Sequence, residues 1–210
     1  MIRITYYKLT KRLDNESFYS LMQTVPPNLQ NKILRFRNWQ DAERSLVGNI
    51  LLMKALQAIG RSDSLADLKY SEFQKPYFDD SISFNISHSG LYVICAISDT
   101  IQVGVDVEEI TRIPIDDFTN LFANSEWEGV LNSQDKFHAF FTLWTKKEAF
   151  LKAVGCGLSQ PLNEVVITDD KINWESKDWF LHEVKLDEQH IAYICCDTIS
   201  PGLDLQEIYL

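Results

Sequence analysis

The chain has 210 residues, of which 45% are hydrophobic, 24% charged and 12% aromatic, and its formal net charge at pH 7 is −10. This length allows a sizeable hydrophobic core in one domain or in two small domains. The negative charge argues against a protein that binds nucleic acid or an anionic membrane through its whole surface. An anionic ligand would have to be met by a local group of Lys and Arg, or by a bound cation.

The cysteines and the N-terminal segment indicate a reduced protein without a targeting signal. Cys95, Cys156, Cys195 and Cys196 lack the spacing of a zinc site, and we interpret them as reduced core residues. The N-terminus lacks the apolar region of a signal peptide, and no apolar run is long enough to span a bilayer. We therefore expect a cytoplasmic protein that makes no membrane contact.

The first half of the chain, residues 1–103, is predicted to be an α+β subdomain. Its pattern changes from a period of 3.6 to a period of two after Gly60, which ends a long amphipathic helix. The predicted elements are a strand at 2–9, helices within 16–59 that are interrupted at Pro26-Pro27, and strands at 68–73, 82–87, 92–98 and 102–108.

The second half, residues 104–210, repeats this order of one long helix followed by strands. Apolar residues at three- and four-residue steps through Trp144 predict a helix that Gly155 ends. Strands are predicted at 165–168, 171–174, 179–186 and 191–196. The order predicts an α+β fold of two similar subdomains, with a cleft where they join.

Three carboxylates near this junction are the strongest chemical signal in the sequence. Asp106 and Glu108 are two apart in a predicted strand, so they point to the same side. Glu148 and Lys152 are four apart on the long helix and share one face. Taken alone, that helical pair could be a surface ion pair worth about 0.3–0.5 kcal/mol.

A set of three carboxylates is suited to Mg²⁺, which binds carboxylate oxygens and completes its shell with water and phosphate oxygens. Glu148 could also act as a general base, while Lys147 and Lys152 could neutralise phosphate or protonate a leaving group. The constellation therefore indicates Mg²⁺-dependent phosphoryl or phosphodiester-type transfer, with Mn²⁺ as an alternative ion.

Two motifs resemble those of the Sfp-type 4′-phosphopantetheinyl transferases: GVDVE at 104–108 and WTKKEAFLK at 144–152. Further matches are Lys75-Pro76, FNISHS at 84–89 and DAERSL at 41–46, in the same order and with similar separations. The first motif would be a weak signal alone, but the combination is specific and runs over most of the chain.

The resemblance implies a reaction and a fold. Coenzyme A would donate its 4′-phosphopantetheine to a serine of an acyl, peptidyl or aryl carrier protein, and adenosine 3′,5′-bisphosphate would leave. The implied fold consists of two similar α/β subdomains related by a pseudo-twofold axis, with coenzyme A between them. A monomer is expected, because the second half supplies what a partner subunit gives in shorter relatives.

The resemblance also implies roles for individual residues. Asp106, Glu108 and Glu148 would hold Mg²⁺ against the pyrophosphate of coenzyme A. Glu148 would accept the proton of the serine, with Lys152 assisting the departing bisphosphate. The nucleotide and its 3′-phosphate would be met by Arg44, Lys75 and His88, with Ser87 close by.

Two other functions stay open from the residues alone. A Mg²⁺-dependent phosphohydrolase would use water in place of the serine, and a non-catalytic binding protein would bind coenzyme A or a carrier without turnover. Release of adenosine 3′,5′-bisphosphate only when a carrier is present would separate the transferase from the phosphohydrolase. The intact acids at 106, 108 and 148 count against a protein that only binds.

Two segments have roles that the sequence leaves undecided. Lys32, Arg35 and Arg37 form either a solvated helix face or a rim that binds an anion. Because the chain is acidic, a carrier of like charge would need a short-range apolar docking surface. That surface could be formed by apolar residues after the acidic strand, unless they are core residues: Ile113, Ile115, Phe118, Leu121 and Phe122.

Overall fold

The computed structural model describes residues 1–79, 81–157 and 161–210. The α-helices are α1 (Asn15–Met22), α2 (Pro27–Ile33), α3 (Trp39–Ala58), α4 (Asn124–Asn132) and α5 (Lys136–Val154). The strands are β1 (Ile2–Lys8), β2 (Lys69–Tyr70), β3 (Pro76–Tyr77), β4 (Ser83–Ser89), β5 (Tyr92–Ser98), β6 (Val103–Glu109), β7 (Lys171–Trp174), β8 (Lys177–Glu183), β9 (His190–Cys196) and β10 (Leu203–Glu207).

Two four-stranded sheets carry the same arrangement of elements in the two halves of the chain. The first has the order β10-β1-β5-β4 and the second the order β6-β9-β8-β7. In the first half, β1 pairs antiparallel with β5, and β5 pairs antiparallel with β4. In the second half, β6 pairs antiparallel with β9, and β9 pairs antiparallel with β8. The long helices α3 and α5 occupy equivalent places in this order. The α+β fold with two similar subdomains, predicted from the sequence, is confirmed.

The two sheets share one hydrophobic core between them. Ile4 and Ile94 of the first sheet pack with Val105 and Ile194 of the second in a single buried cluster. Separate clusters lie between each sheet and its long helix. Burial of apolar surface on both faces of each sheet therefore fixes how the halves meet.

Strands β4 and β6 are the facing edges of the two sheets, and side chains join them. Alternate β4 residues accept hydrogen bonds from backbone N–H groups of β6, at a constant separation of 20 residues. The four bonds run from Val103 to Ser83 (3.0 Å), from Val105 to Asn85 (3.2 Å), from Val107 to Ser87 (3.4 Å) and from Glu109 to Ser89 (3.1 Å). An edge strand leaves backbone donors unpaired, and these side chains satisfy them.

Helix α5 packs directly on β6 because residue 104 is glycine. A Cβ atom at Gly104 would overlap the backbone of Ala149 and Ala153. The helix ends as its sequence predicts: Gly155 has φ of 82° and donates its N–H to the carbonyl of Leu151 at 2.8 Å. Gly104 thus sets the distance between α5 and β6. Gly155 sets the point at which α5 ends.

The residues considered for carrier docking are mostly core. Ile115 and Phe122 are buried, and Phe118 packs edge-on against Phe140 and Trp144 at centroid distances of 5.4 and 5.9 Å. Leu121 is the most exposed of the set, at 36%. The structure therefore supports the core alternative for this segment.

The other differences from the sequence predictions concern short or distant pairings. The segment 68–73 contributes only β2, and 165–168 forms no strand. Strand β10 was not predicted; it pairs parallel with β1, so the C-terminus returns to the first sheet. Cys95, Cys195 and Cys196 are buried, as expected, whereas Cys156 is only partly buried and is not a core residue. No helix within the described ranges is long and apolar enough to cross a membrane.

We expect Gly104→Ala to destabilise the protein strongly, because the added methyl group meets backbone atoms of α5 that cannot move aside individually. Overpacking in a core typically costs about 1–3 kcal/mol, and this variant should lie at or above the upper end. The free energy of unfolding, measured by urea titration, tests this.

Gly129→Ala is the matched control, because no atom lies within 4 Å of a Cβ built at this position of α4. Alanine should stabilise that helix by up to about 1 kcal/mol. Equal stability of Gly104→Ala and the natural protein would contradict the close packing of α5 on β6.

Candidate active site

Asp106 occupies the centre of the junction between the halves. Its side chain is only 3% exposed, and Oδ1 accepts hydrogen bonds from Lys152 Nζ at 2.6 Å and Ser87 Oγ at 2.8 Å. Oδ2 is buried and accepts no hydrogen bond from the described residues. A buried carboxylate oxygen without a donor is costly, so this atom is suited to a ligand that supplies positive charge.

Glu108 lies on the same face of β6 as Asp106 and is held at both oxygens. Ser89 Oγ donates to Oε2 at 2.9 Å, and the indole nitrogen of Trp144 donates to Oε1 at 3.2 Å. The pKa of Glu108 is raised, first by its removal from water and then by the negative charge of Asp106. The hydrogen bonds from Ser89 and Trp144 act in the opposite direction.

Glu148 faces these two carboxylates from α5. Its pKa is raised by desolvation and then by the charge of Asp106, with a smaller contribution from Glu108, while Lys152 lowers it. Three carboxylates from one strand and one helix therefore interact as like charges in a partly dry site. Lys152 is the cation that partly offsets this repulsion.

The carboxylates of Asp106, Glu108 and Glu148 are suitable ligands for a magnesium ion, although together they do not form a complete metal-binding site. Within the described ranges no three His, Cys, Asp or Glu side chains lie close enough together to hold a metal ion as they stand. Magnesium commonly takes one or two carboxylates and fills its shell with water and substrate phosphate. The orphaned Oδ2 of Asp106 and the raised pKa values of Glu108 and Glu148 are the features that a divalent cation would relieve.

A groove of about 270 Å³ lies in the first half of the molecule. Arg44 of α3 and His88 of β4 line it together with Lys32, and the rings of Phe36 and Tyr70 form part of its wall. Arg44 donates to the carbonyl of Gly90 at 2.6 Å and pairs with Asp41 at 3.2 Å. The groove therefore combines cationic and aromatic side chains, which suits a phosphorylated nucleotide.

His88 connects this groove to the carboxylates. Its pKa is lowered, first by removal from water and then by the positive charges of Arg44 and Lys152. His88 is therefore neutral at pH 7 and would serve as a hydrogen-bonding group. Arg44 and Lys152 are both close enough to His88 for their positive charges to act on it.

Two residues that the resemblance assigns to the nucleotide, Lys75 and Ser87, do not line this groove. Lys75 does not line the groove: its ammonium group donates to the carbonyl of Ala153 at 2.9 Å, near the end of α5, and burial lowers its pKa to about 8. Ser87 is buried behind Asp106, where it bonds both that carboxylate and Lys152 at 3.0 Å. The structure thus places both residues against the elements that carry the acids.

Lys147 is also away from the cluster, contrary to its predicted contact with phosphate. Its side chain is fully buried, and Nζ donates to Glu126 Oε2 at 2.6 Å and to the carbonyls of Leu162 and Val165 at 2.8 and 2.7 Å. All three hydrogens of the ammonium group are used. A phosphate could reach Lys147 only if these bonds broke, so we remove it from the candidate site.

Sequence reasoning missed Ser89 and the role of the Trp144 indole. Ser89 follows His88 by one position, so the alternation of β4 places it on the same face as Ser87. Trp144 precedes Glu148 by four residues and therefore shares its helical face. Both signals were present in the spacing, but the partner Glu108 lies 19 and 36 residues away, which local patterns do not indicate.

Comparison with known protein families matches nearly the whole chain. Residues 102–195 match the family model described as the 4′-phosphopantetheinyl transferase superfamily. Residues 13–100 match the model described as 4′-phosphopantetheinyl transferase, N-terminal. The boundary between the two matches falls just before β6, at the junction of the two sheets.

Individual relatives agree with these matches. The 4′-phosphopantetheinyl transferase gsp of Aneurinibacillus migulanus is 36% identical over 166 residues, covering 78% of this chain and 70% of that protein. The 4′-phosphopantetheinyl transferase Sfp of Bacillus subtilis (strain 168) is 34% identical, covering 71% and 67%. The 4′-phosphopantetheinyl transferase ffp of Bacillus subtilis is 33% identical over 206 residues, covering 92% and 86%.

We expect Lys147→Met to cost about 3–5 kcal/mol of unfolding free energy, because it leaves Glu126 buried without its counter-charge. Affinity for coenzyme A, measured by calorimetry under conditions in which the variant is folded, should stay unchanged. Lys146→Met is the control, since Lys146 forms a surface pair with the exposed Asp170. That pair is worth about 0–1 kcal/mol. A loss of coenzyme A affinity in Lys147→Met, but not in Lys146→Met, would instead show that Lys147 contacts the phosphate.

Proposed function

The chain belongs to the 4′-phosphopantetheinyl transferase superfamily, and we propose that Asp106, Glu108, Glu148 and Lys152 form its transfer site. The enzyme transfers 4′-phosphopantetheine from coenzyme A to a serine of an apo carrier protein, releasing adenosine 3′,5′-bisphosphate. One observation supports this site above the others: Asp106, which Lys152 bonds at 2.6 Å where the two halves meet, is near enough to Glu108 and Glu148 to raise the pKa of both.

The groove beside the cluster is proposed to bind the nucleotide end of coenzyme A. Arg44 and Lys32 would neutralise the 3′-phosphate, while neutral His88 would donate a hydrogen bond. His88 lines the groove, and its chain neighbours Ser87 and Ser89 bond the acids of β6, so a ligand held in the groove could extend toward those acids. Its pyrophosphate would then lie beside Asp106 and Glu148.

Magnesium is proposed as the ion held by Asp106, Glu108 and Glu148. When bound, it would neutralise charge on the pyrophosphate and on the developing bisphosphate. The protein's own groups supply the remaining chemistry: Lys152 can donate to the departing bisphosphate, and Asp106 keeps that ammonium group in place at 2.6 Å.

Glu148 is proposed as the general base that accepts the proton of the carrier serine. A positioned carboxylate can accept such a proton. The raised pKa of Glu148 describes the metal-free site, and a bound cation would favour the charged form that accepts the proton. The charged form is needed for catalysis. Because protons and Mg²⁺ compete for this carboxylate, the pH below which activity falls should decrease as the Mg²⁺ concentration rises.

The class of partner is proposed to be an acyl, peptidyl or aryl carrier protein. We also propose that a single chain in the cytoplasm forms the complete site, because Ser87, Ser89 and the groove come from the first half while the acids come from the second. The halves at 1–103 and 104–210 are proposed as subdomains of this one unit.

The direct test is mass spectrometry of apo carrier proteins after incubation with coenzyme A and Mg²⁺. A mass increase equal to one phosphopantetheine on the carrier serine, with release of adenosine 3′,5′-bisphosphate, is expected. A carrier with that serine replaced by alanine is the control. Release of the bisphosphate at the same rate without any carrier would instead identify a phosphohydrolase.

Glu148→Gln should lower kcat by about 10²-fold or more, since it keeps the shape of the side chain but removes the base. The same change should raise the melting temperature of the metal-free protein. A glutamate with a raised folded-state pKa destabilises the fold once it is charged, and glutamine removes that charge. Stopped-flow assays and calorimetric melting measure the two effects.

Glu128→Gln, at an exposed position of α4, is the control for this variant. It should leave both kcat and the melting temperature unchanged. A Glu148→Gln variant that keeps its full kcat and melts at a lower temperature would show that Glu148 is only a structural partner of Lys152.

Arg44→Gln should weaken coenzyme A by about 1.5–3 kcal/mol, the usual value of a hydrogen bond to a charged group. The loss should be much smaller for dephospho-coenzyme A, which lacks the 3′-phosphate. Arg44 also bonds the carbonyl of Gly90, but disturbing that turn affects both ligands and cancels in the comparison. Calorimetry measures both affinities.

Arg35→Gln is the control, because Arg35 is exposed and does not line the groove. It should bind both ligands with nearly the natural affinity. Equal losses of affinity for the two ligands in Arg44→Gln would show that Arg44 does not contact the 3′-phosphate.

A further inference from the structure

Glu108 differs from the other two carboxylates because each of its oxygens accepts a hydrogen bond from a different half of the molecule. Ser89 of β4 reaches Oε2 at 2.9 Å, and Trp144 of α5 reaches Oε1 at 3.2 Å. The carboxylate plane is thereby fixed by two points of contact. An ionised carboxylate has about four lone-pair sites, so two donors leave sites for a cation.

Both donors are themselves held in place. Ser89 Oγ accepts the backbone N–H of Glu109 at 3.1 Å, which leaves its single hydrogen for Glu108. The Trp144 ring stacks on Phe140, with centroids 6.2 Å apart and planes 20° apart, and meets the edge of Phe118. Neither donor can turn away from Glu108 without losing another contact.

Another serine on β4 shows that this arrangement is specific to the acids. Ser83 Oγ accepts the N–H of Val103 at 3.0 Å, as Ser89 does for Glu109, but no carboxylate hydrogen-bonds to Ser83 within the described residues. Supporting the β6 backbone is therefore a separate task from orienting a carboxylate. Ser89 performs both tasks and Ser83 only the first.

We propose that Ser89 and Trp144 are positioning residues, which orient Glu108 so that its remaining lone pairs face a divalent cation shared with Asp106. This inference rests on the proposed function. It assigns a role to two residues that do not themselves bind the ion. Hydrogen bonds that orient metal-binding carboxylates are typically worth 10- to 100-fold in metal affinity.

The experiment measures binding of Mn²⁺ alone, by calorimetry and by its electron spin resonance signal, to the full-length protein. Ser89→Ala and Trp144→Phe should each raise the dissociation constant by about 10- to 100-fold. Phenylalanine keeps an aromatic ring against Phe118 and Phe140 and removes the N–H donor together with part of the indole ring system. Ser89→Thr keeps the hydroxyl group and should restore affinity to near the natural value.

Ser83→Ala is the matched control, because it removes an equivalent acceptor of a β6 amide. Ser83→Ala should lose the free energy of one backbone hydrogen bond and Ser89→Ala at least as much, yet only Ser89→Ala should lose Mn²⁺ affinity. Unchanged affinity in Ser89→Ala, or an equal loss in Ser83→Ala, would overturn the positioning role. So would a Ser89→Thr variant that binds as weakly as Ser89→Ala.

The transfer reaction is assayed separately, by the mass of the carrier product. A natural protein that transfers phosphopantetheine but does not bind Mn²⁺ would overturn this inference and leave the function standing. A protein that binds Mn²⁺ with the expected order of variants but modifies no carrier would overturn the function while the orientation of Glu108 holds.

Discussion

The backbone of β6 needs hydrogen-bond acceptors on both of its sides, and only one side is paired with the backbone of another strand. Strand β9 satisfies one set of N–H groups, and the side chains of β4 satisfy the other. A full backbone ladder with β4 would have merged the two sheets. Because Ser and Asn side chains stand between the strands, the sheets stay separate and two hydroxyl groups are left beside the acids of β6, those of Ser87 and Ser89.

The acidic cluster is a local conflict that the rest of the fold stabilises. Desolvation and mutual repulsion raise the pKa values of Glu108 and Glu148, so their charged forms weaken the folded state without a cation. The close packing of α5 against Gly104 prevents the two elements from separating to relieve this repulsion. Sites that are strained in this way are common where binding or catalysis needs concentrated charge.

Local patterns in the sequence were sufficient for the faces of β6 and for the end of α5. Alternation places Asp106 and Glu108 on one side, and Gly155 adopts the positive φ expected of a helix terminator. Helical spacing could also have placed Lys147, which is three residues after Trp144 and four before Leu151, on the apolar stripe. Its chemistry suggested phosphate, whereas its position on the helix dictated burial.

Contacts between distant segments could not be predicted from local sequence patterns. Strand β10 pairs with β1 across about 200 residues of sequence. No local period encodes such a partner, because strand pairing depends on the tertiary fold. The same holds for the partners of Lys75 and Ser89, which lie in the other half of the molecule. The sequence therefore predicted the faces of β6 and α5 on which the acids lie, but not the distant residues that hold them.

The first half of the chain supports every element that carries an acid, although all the acids belong to the second half. It holds β6 through the side chains of β4, and it holds the last turn of α5 through Lys75, whose ammonium group bonds the carbonyl of Ala153. Ala153 directly follows Lys152 in the chain. Lys152 is therefore held in two ways: through the bond from Lys75 to its neighbour, and through its own bond to Asp106. A second half alone would keep the acidic residues but lose the contacts that orient them.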